Sequence, residues 1–394
     1  MTHRMTEITE RSSCPTRASA VIIGGGVMGV SAAFHLAEAG VQDVVLVERN
    51  ELGSGSTCKA AGCVRAQFSD RTNIELGLRS LRAFESFGSR PGQAIDLHQP
   101  GYLFLLDSPE SVAVFEQSVE LQQSLGVPSR MLSPAEAKEL SPLISTDGLH
   151  GAAFSPTDGY CAPESVVLGY ATAARRLGAR LLTGCAALGI ETTGGQVTAV
   201  HTADGTIKTD TVICAAGAWS REVGGWAGVD LPVTPLRRQI LISKALLDLP
   251  ADLPMTVDFA TSFYFHREGE GLLIGMSDPD EAPGFSERPT DDWLPRLGDA
   301  IGHRTPALLD VGFGTGWAGL YEMTPDHNAL IGSAPHTDRF LYATGFSGHG
   351  FLMGPAVGEV LRDLYLGRTP VVDVSALDAG RFVDRQTRPE LNIV

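Results

Sequence analysis

At 394 residues the chain is longer than one hydrophobic core usually organises, and with 43% apolar and only 19% charged residues it has the composition of a folded protein of about two domains, not of a disordered or fibrous one. Its 46 acidic against 30 basic side chains leave a formal charge of −16, without the clustered Lys and Arg that phosphate backbones require, so no nucleic-acid partner is expected. Six cysteines, scattered with no CxxC pair and no Cys/His spacing suited to zinc, are read as reduced thiols, and no metal is expected.

The first 17 residues are polar and lack an apolar core, so they read as a flexible tail and not as a signal peptide, and the chain reads as cytoplasmic. Residues 19–23 (SAVII) pattern as a short buried strand, GGGVMG interrupts it, and residues 30–39 have helical composition ending at Gly40. A second strand, residues 44–47, ends at Glu48, completing a βαβ unit. The stretch from Ala20 to Val41 is apolar, but three consecutive glycines, His35 and Glu38 argue against a membrane span, and no membrane partner is expected. Ile74, Leu78, Leu81 and Phe84 recur at helical spacing and predict an amphipathic helix over 71–87.

Residues 93–154 are irregular and punctuated by proline, which suggests an excursion into another domain. A helix over 164–177 stops at Gly178, and RLLT reads as the next parallel strand. GIETT, VTAVHT and TIKTDTVICAAG follow, separated by Gly194-Gly195 and Asp204-Gly205, a pattern that predicts an antiparallel meander feeding a last strand. From 229 to 320 the strands FYFHRE and GLLIGM alternate with Pro-rich connections, as in a mixed sheet. Residues 328 onward return to strand, Gly-rich turn and a helix expected to start at Gly354-Pro355.

The chemistry is concentrated where the first strand meets the first helix. Gly24, Gly26 and Gly29 satisfy GxGxxG, with Val27 and Met28 at the helix start. The first glycine permits a tight turn, the second close approach of backbone to a pyrophosphate, and the third close packing of helix on strand. The positive helix end then faces the anion. Glu48, nineteen residues after Gly29 at a strand end, is placed to accept ribose hydroxyls.

These residues, together with VERNELGSGSTCKAAGCVRAQF, VICAAGAWS, and GLYEMTPDHNALIG followed by GFSGHGF, resemble the amine-oxidising flavoenzymes related to D-amino-acid oxidase. That group includes monomeric sarcosine oxidase, glycine oxidase, and the catalytic subunits of heteromeric sarcosine oxidases and proline dehydrogenases. The similarity runs from about Ala20 to Arg381. It implies an α/β fold: a glutathione-reductase-type FAD-binding Rossmann domain with an inserted α+β substrate domain on a mixed, mostly antiparallel sheet. The corresponding division is 18–92, 155–228 and 322–386 for FAD, 93–154 and 229–321 for substrate, and 1–17 as tail.

By the same resemblance Arg49, Ser56, Thr57, Lys59, Ala60 and Ala61 contact the ADP-ribose and the flavin edge, and Ala187 meets the adenine. Ala215, Gly217 and Trp219 lie near the ribityl chain, and Gly348, His349, Gly350, Phe351 and Leu352 run past the flavin's pyrimidine edge. Arg65 falls at a carboxylate-binding arginine of sarcosine oxidases, and Tyr264 and Tyr321 at aromatic positions facing substrate. His349 and His266 are candidate proton acceptors. The implied reaction is FAD-dependent oxidation of the C–N bond of a small amino acid or N-substituted glycine, by hydride transfer to the flavin, with oxygen or another electron acceptor. A proline-like dehydrogenase passing electrons to a partner subunit, and a flavoprotein without catalysis, are the alternatives.

Several positions depart from the resemblance. Gly319 stands where monomeric sarcosine oxidase has its flavin-bonding cysteine, so non-covalent FAD is expected. Leu273 replaces that enzyme's oxygen-activating lysine, Leu352 its second carboxylate-binding lysine, and Ser277 a substrate-contacting histidine. Tyr321 replaces an arginine of glycine oxidase. Cys58 and Cys63 stand where relatives often carry glycine, and are read as buried thiols or a redox pair.

Overall fold

The computed structural model describes residues 14–383 and 387–392. Of the expected tail, residues 1–13 lie outside the described residues, as do 384–386 of the expected FAD-binding stretch. Residues 16–18 are not frayed: Lys208 N donates to Thr16 O at 3.0 Å and Ala18 N to Lys208 O at 2.9 Å, so this stretch pairs with the meander. Backbone donors left over at a strand edge are what recruit it.

Two sheets organise the chain. The first has six strands, in the order Leu330–Ser333, Phe340–Thr344, Val212–Cys214, Ala20–Ile23, Val44–Val47, Arg180–Leu182. All neighbours are parallel except the first two. Ala20–Ile23 and Val44–Val47 are unbroken apolar runs because both of their faces are covered, as parallel strands require. On one face lie the helices Val27–Glu38, Pro163–Arg176 and Gly350–Tyr365. Gly354 and Gly358 let the last of these seat on the first: a Cβ at Gly358 would lie 2.1 Å from Ser31 Oγ.

The other face carries the predicted meander, Ala187–Thr193, Gln196–Thr202 and Gly205–Lys208. Gly194-Gly195 forms its first turn, both at positive φ. The second turn is Ala203-Asp204, one residue earlier than expected, because Thr202 pairs with Gly205.

The second sheet has eight strands, in the order Phe313–Met323, Thr234–Ser243, Gly271–Met276, Phe263–Glu268, Met255–Asp258, Tyr102–Leu106, Gly151–Ser155, Arg130–Leu132. Only Met255–Asp258 with Tyr102–Leu106 is parallel, so the sheet is mixed and mostly antiparallel, as expected.

The last long helix begins at Gly350, not at Gly354-Pro355, and Pro355 lies inside it. Past the first turn, Pro355 forgoes one backbone bond, to Phe351, and the next amide, Ala356 N, donates to Ser80 Oγ at 3.2 Å. No helix among the described residues is long and apolar enough to cross a membrane.

Candidate active site

A cavity of about 460 Å³ runs between the two sheets, and every site residue expected from the sequence except Gly29 and His266 lies on its wall. Gly29 acts from behind: a Cβ there would lie 1.9 Å from Gly24 O, so its hydrogen lets the Val27–Glu38 helix close onto the loop. Gly24 has φ +111° and its absent Cβ would stand 2.2 Å from Ala215 O, at the end of the neighbouring strand. Gly26 is open toward the cavity, where a Cβ would meet only Thr57 Oγ1, at 3.1 Å. As N-cap residue it has no capping side chain, and Val27 N donates to Thr57 Oγ1 at 3.1 Å.

Glu48 is fixed by Gly25 N at 2.7 Å and Asn50 N at 2.8 Å, so its carboxylate is oriented at the strand end. Beside it Arg49 lies 3.7 Å from the Trp219 ring centroid, and Trp219 stacks at 5.3 Å on Phe285. An uncapped helix start, a glycine opening and an oriented acid beyond it fit a dinucleotide. The residues present therefore fit FAD. Gly319 leaves no thiol at its position, and the cavity-lining Cys63 is pushed up to about 12 by burial, so it holds its proton. All the cysteines described are unpaired, and burial raises Cys58 to about 11, which disfavours thiolate chemistry at this pair.

The strand Phe313–Met323 brings Tyr321 to the cavity wall, and Phe263–Glu268 brings Tyr264. Both rings are admitted by glycines: a Cβ at Gly348 (φ +101°) would stand 2.5 Å from Tyr321, and one at Gly275 would stand 2.2 Å from Tyr264. Burial raises both phenols, which therefore stay protonated donors.

Arg65 is 2% exposed. It donates to the carbonyl oxygens of Gln67 and, at 2.7 Å, Asn392, with its guanidinium carbon 4.1 Å from the Phe68 centroid. His349 packs edge-on against Phe68 at 5.2 Å and is held well below its ordinary pKa by burial, then by Arg65. It is neutral at working pH. His266 is off the wall: it stacks on Tyr160 at 4.3 Å and its nitrogens lie 2.8 Å from Arg267 O and 3.1 Å from Ala61 O, which ties the eight-stranded sheet to the segment after Thr57–Lys59. Leu273 and Ser277 are off the wall as well.

Asp158 braces the Arg65 segment, accepting from Ala66 N at 3.2 Å and Gln67 Nε2 at 3.3 Å. Burial raises its carboxyl from 3.8 to about 6, against the pull of those bonds and of Arg65. Because the folded value is the higher, the stability contributed by the protonated form is complete below the unfolded pKa and is lost as pH rises through the folded one. Asp158→Asn is expected to flatten that loss, on the order of 1–3 kcal/mol, as read from urea midpoints on either side of the window.

The sequence reading missed Tyr102, Arg238 and Glu322, all on the wall. Glu322 accepts from Thr344 Oγ1 at 2.8 Å and Gly345 N at 2.9 Å and so positions the 345–352 loop. Strand alternation was the available signal for Arg238: it shares a face with Leu236, Ile240 and Ile242 and is the one charge among them.

The family described as DAO, FAD dependent oxidoreductase, matches residues 19–364. The chain is 30% identical over 386 residues to the mitochondrial dimethylglycine dehydrogenase of Rattus norvegicus, covering 93% of this chain and 45% of that protein. It thus spans less than half the length of that curated relative. Among solved structures, L-proline dehydrogenase from P. horikoshii superposes with a TM-score of 0.89 at 33% identity, over 95% of this chain and 100% of that one. Glycine oxidase from Geobacillus kaustophilus gives 0.82 at 25% identity, over 92% and 98%.

Proposed function

The chain belongs to the FAD dependent oxidoreductase family, and from that premise we propose that it oxidises the carbon–nitrogen bond of a small amino acid or N-substituted glycine. The observation that carries this reading is the Arg65 guanidinium, buried on the cavity wall with no carboxylate within salt-bridge distance among the described residues. A buried cation without a counter-ion costs roughly several kcal/mol, and a substrate carboxylate gripped by the fork relieves that cost while fixing the α-carbon. The named substrates of the three relatives, dimethylglycine, proline and glycine, all carry that carboxylate.

Bound FAD supplies the acceptor for the two electrons of the C–H bond beside nitrogen. The chain's own residues bind and orient. Arg65 holds the carboxylate, Tyr102, Tyr264 and Tyr321 wall the carbon skeleton, and neutral His349 offers a proton acceptor. The helix beginning at Gly350 aims its positive end at the cavity, where it stabilises developing negative charge.

A second reading concerns the electron acceptor. Lys59 is the only lysine on the described wall, and its ammonium is bound to Glu287 at 2.7 Å. With no free ammonium at the site, reduction of oxygen loses electrostatic help, which favours another acceptor, small or carried by a partner subunit.

Anaerobic mixing of the purified flavoprotein with glycine, sarcosine, dimethylglycine, proline, N-carboxymethylglycine and L-aspartate, followed by air, tests both. One of them is expected to bleach the flavin band, and air to restore it slowly. Rapid recovery would sink the second reading, and no bleaching by any amine would sink the first. With the effective amine, log kcat/KM is expected to rise with pH at unit slope until the substrate nitrogen is deprotonated, with no break in the neutral range, because His349 is already neutral there. A break near neutrality that survives a change of substrate would contradict this.

A further inference from the structure

The substrate end of the cavity holds a second cation. Arg238 lies on Thr234–Ser243 opposite Gly319, and both it and Ile240 face the cavity. Its guanidinium carbon is 5.3 Å from the Tyr321 ring centroid. Among the described residues it is nearly unpartnered: Nη1 donates to Arg237 O at 3.0 Å, and Nε is buried with no acceptor.

Neighbouring acids are already engaged. Glu281 accepts from Arg237 at 3.0 and 2.8 Å, and Asp278 pairs with Arg296 at 3.4 Å. Glu322 spends its Oε2 on Thr344 and Gly345. Arg237, one residue away on the opposite face, is thus fully paired, while Arg238, turned into the cavity, is not. Desolvation accordingly pushes Arg238 below the ordinary arginine value. Arg65 already accounts for one carboxylate, and a second desolvated guanidinium calls for a second anion.

We propose that Arg238 binds a second carboxylate of the substrate, so that the substrate class is an amino acid bearing two carboxylates, one on Arg65 and one on Arg238. Its reaction, though not its binding, rests on the amine-oxidation reading above. The second carboxylate sits either on the N-substituent or on the side chain. The Tyr264 and Tyr321 hydroxyls share that wall and are donors to the same group.

The test uses the purified flavoprotein and its Arg238→Gln and Arg238→Lys variants, with bound FAD and thermal midpoint confirming that each is folded. Flavin absorbance is titrated with thiodiacetate, an unreactive diacid, and with (methylthio)acetate, its monoacid counterpart. Wild type is expected to favour the diacid by roughly tenfold or more, Arg238→Gln to bring that ratio close to one, and Arg238→Lys to restore part of it. Equal affinities in wild type, or a ratio unchanged in Arg238→Gln, would overturn the proposal.

Anaerobic reduction by N-carboxymethylglycine, sarcosine and L-aspartate then separates the two readings. Arg238-dependent reduction by N-carboxymethylglycine places the second carboxylate on the N-substituent, and by aspartate on the side chain; either supports the proposal. If no amine reduces the flavin while diacid selectivity and its loss in Arg238→Gln persist, the binding proposal stands and amine oxidation falls. If sarcosine reduces the flavin and no diacid selectivity exists, amine oxidation stands and this proposal falls.

Discussion

Purified Gly24→Ala is expected to contain no bound FAD. Alanine cannot adopt φ +111° without a strain of about 1–3 kcal/mol, and its methyl would lie 2.2 Å from Ala215 O, an overlap that only backbone movement relieves. That carbonyl follows Val212–Cys214, the strand hydrogen-bonded to Ala20–Ile23, so the whole phosphate turn must shift. Since the same change could unfold the protein, Gly26→Ala is the informative companion. Its methyl meets only Thr57 Oγ1, at 3.1 Å, and otherwise projects into the cavity where the proposed diphosphate would approach. Gly26→Ala is expected to fold, with the urea midpoint of the FAD-free protein near wild type, and to bind FAD roughly tenfold or more weakly, a loss of about 1.4 kcal/mol or more. Wild-type FAD affinity in Gly26→Ala would show that the cofactor does not pass this glycine.

Arg381→Leu is expected to lose about 3–5 kcal/mol of stability, the cost of stranding one member of a buried ion pair. Arg381 and Asp326 are 5% and 2% exposed and meet through two bonds, Nε to Oδ2 at 2.8 Å and Nη2 to Oδ1 at 2.9 Å. Arg381 also donates to Leu377 O at 2.8 Å and Asn328 O at 2.9 Å. The pair stitches the chain's late segment to the turn that follows the Tyr321 strand. Asn328, in that turn, accepts at 2.6 Å from Asn73, which also donates to Glu390 at 2.9 Å. The measurement is the urea midpoint at unchanged slope. Adding Asp326→Leu should recover much of the loss, because the uncompensated carboxylate is removed with its partner. A double variant no more stable than the single one would show that the carbonyl bonds, not the ion pair, carry the stability.

The candidate dinucleotide loop was legible in the sequence because its requirements are local. A turn that admits a pyrophosphate, a helix that begins immediately after it and an acid at the next strand end are all written between Ala20 and Glu48, where steric rules act on neighbouring residues. Hairpin glycines at 194 and 195 were readable for the same reason. Where local signals competed, the reading slipped: Pro355 looks like a helix start, yet the helix begins at Gly350 because its packing on Val27–Glu38 outweighs one lost backbone bond.

The sequence by itself determined the βαβ phosphate loop, the mixed second sheet and the presence of Arg65, Tyr264 and Tyr321 among the candidates. Only the tertiary structure decided which charges are left over. Lys59 is neutralised by Glu287, 228 positions away along the numbering, Arg237 by Glu281, and Arg381 by Asp326, while Arg65 and Arg238 reach the cavity without a carboxylate partner among the described residues. A guanidinium reads the same in any stretch of sequence. Its role depends on burial and on what strand register sets beside it, here Gly319 opposite Arg238 and Gly275 opposite Tyr264, and those are long-range contacts that no local pattern encodes.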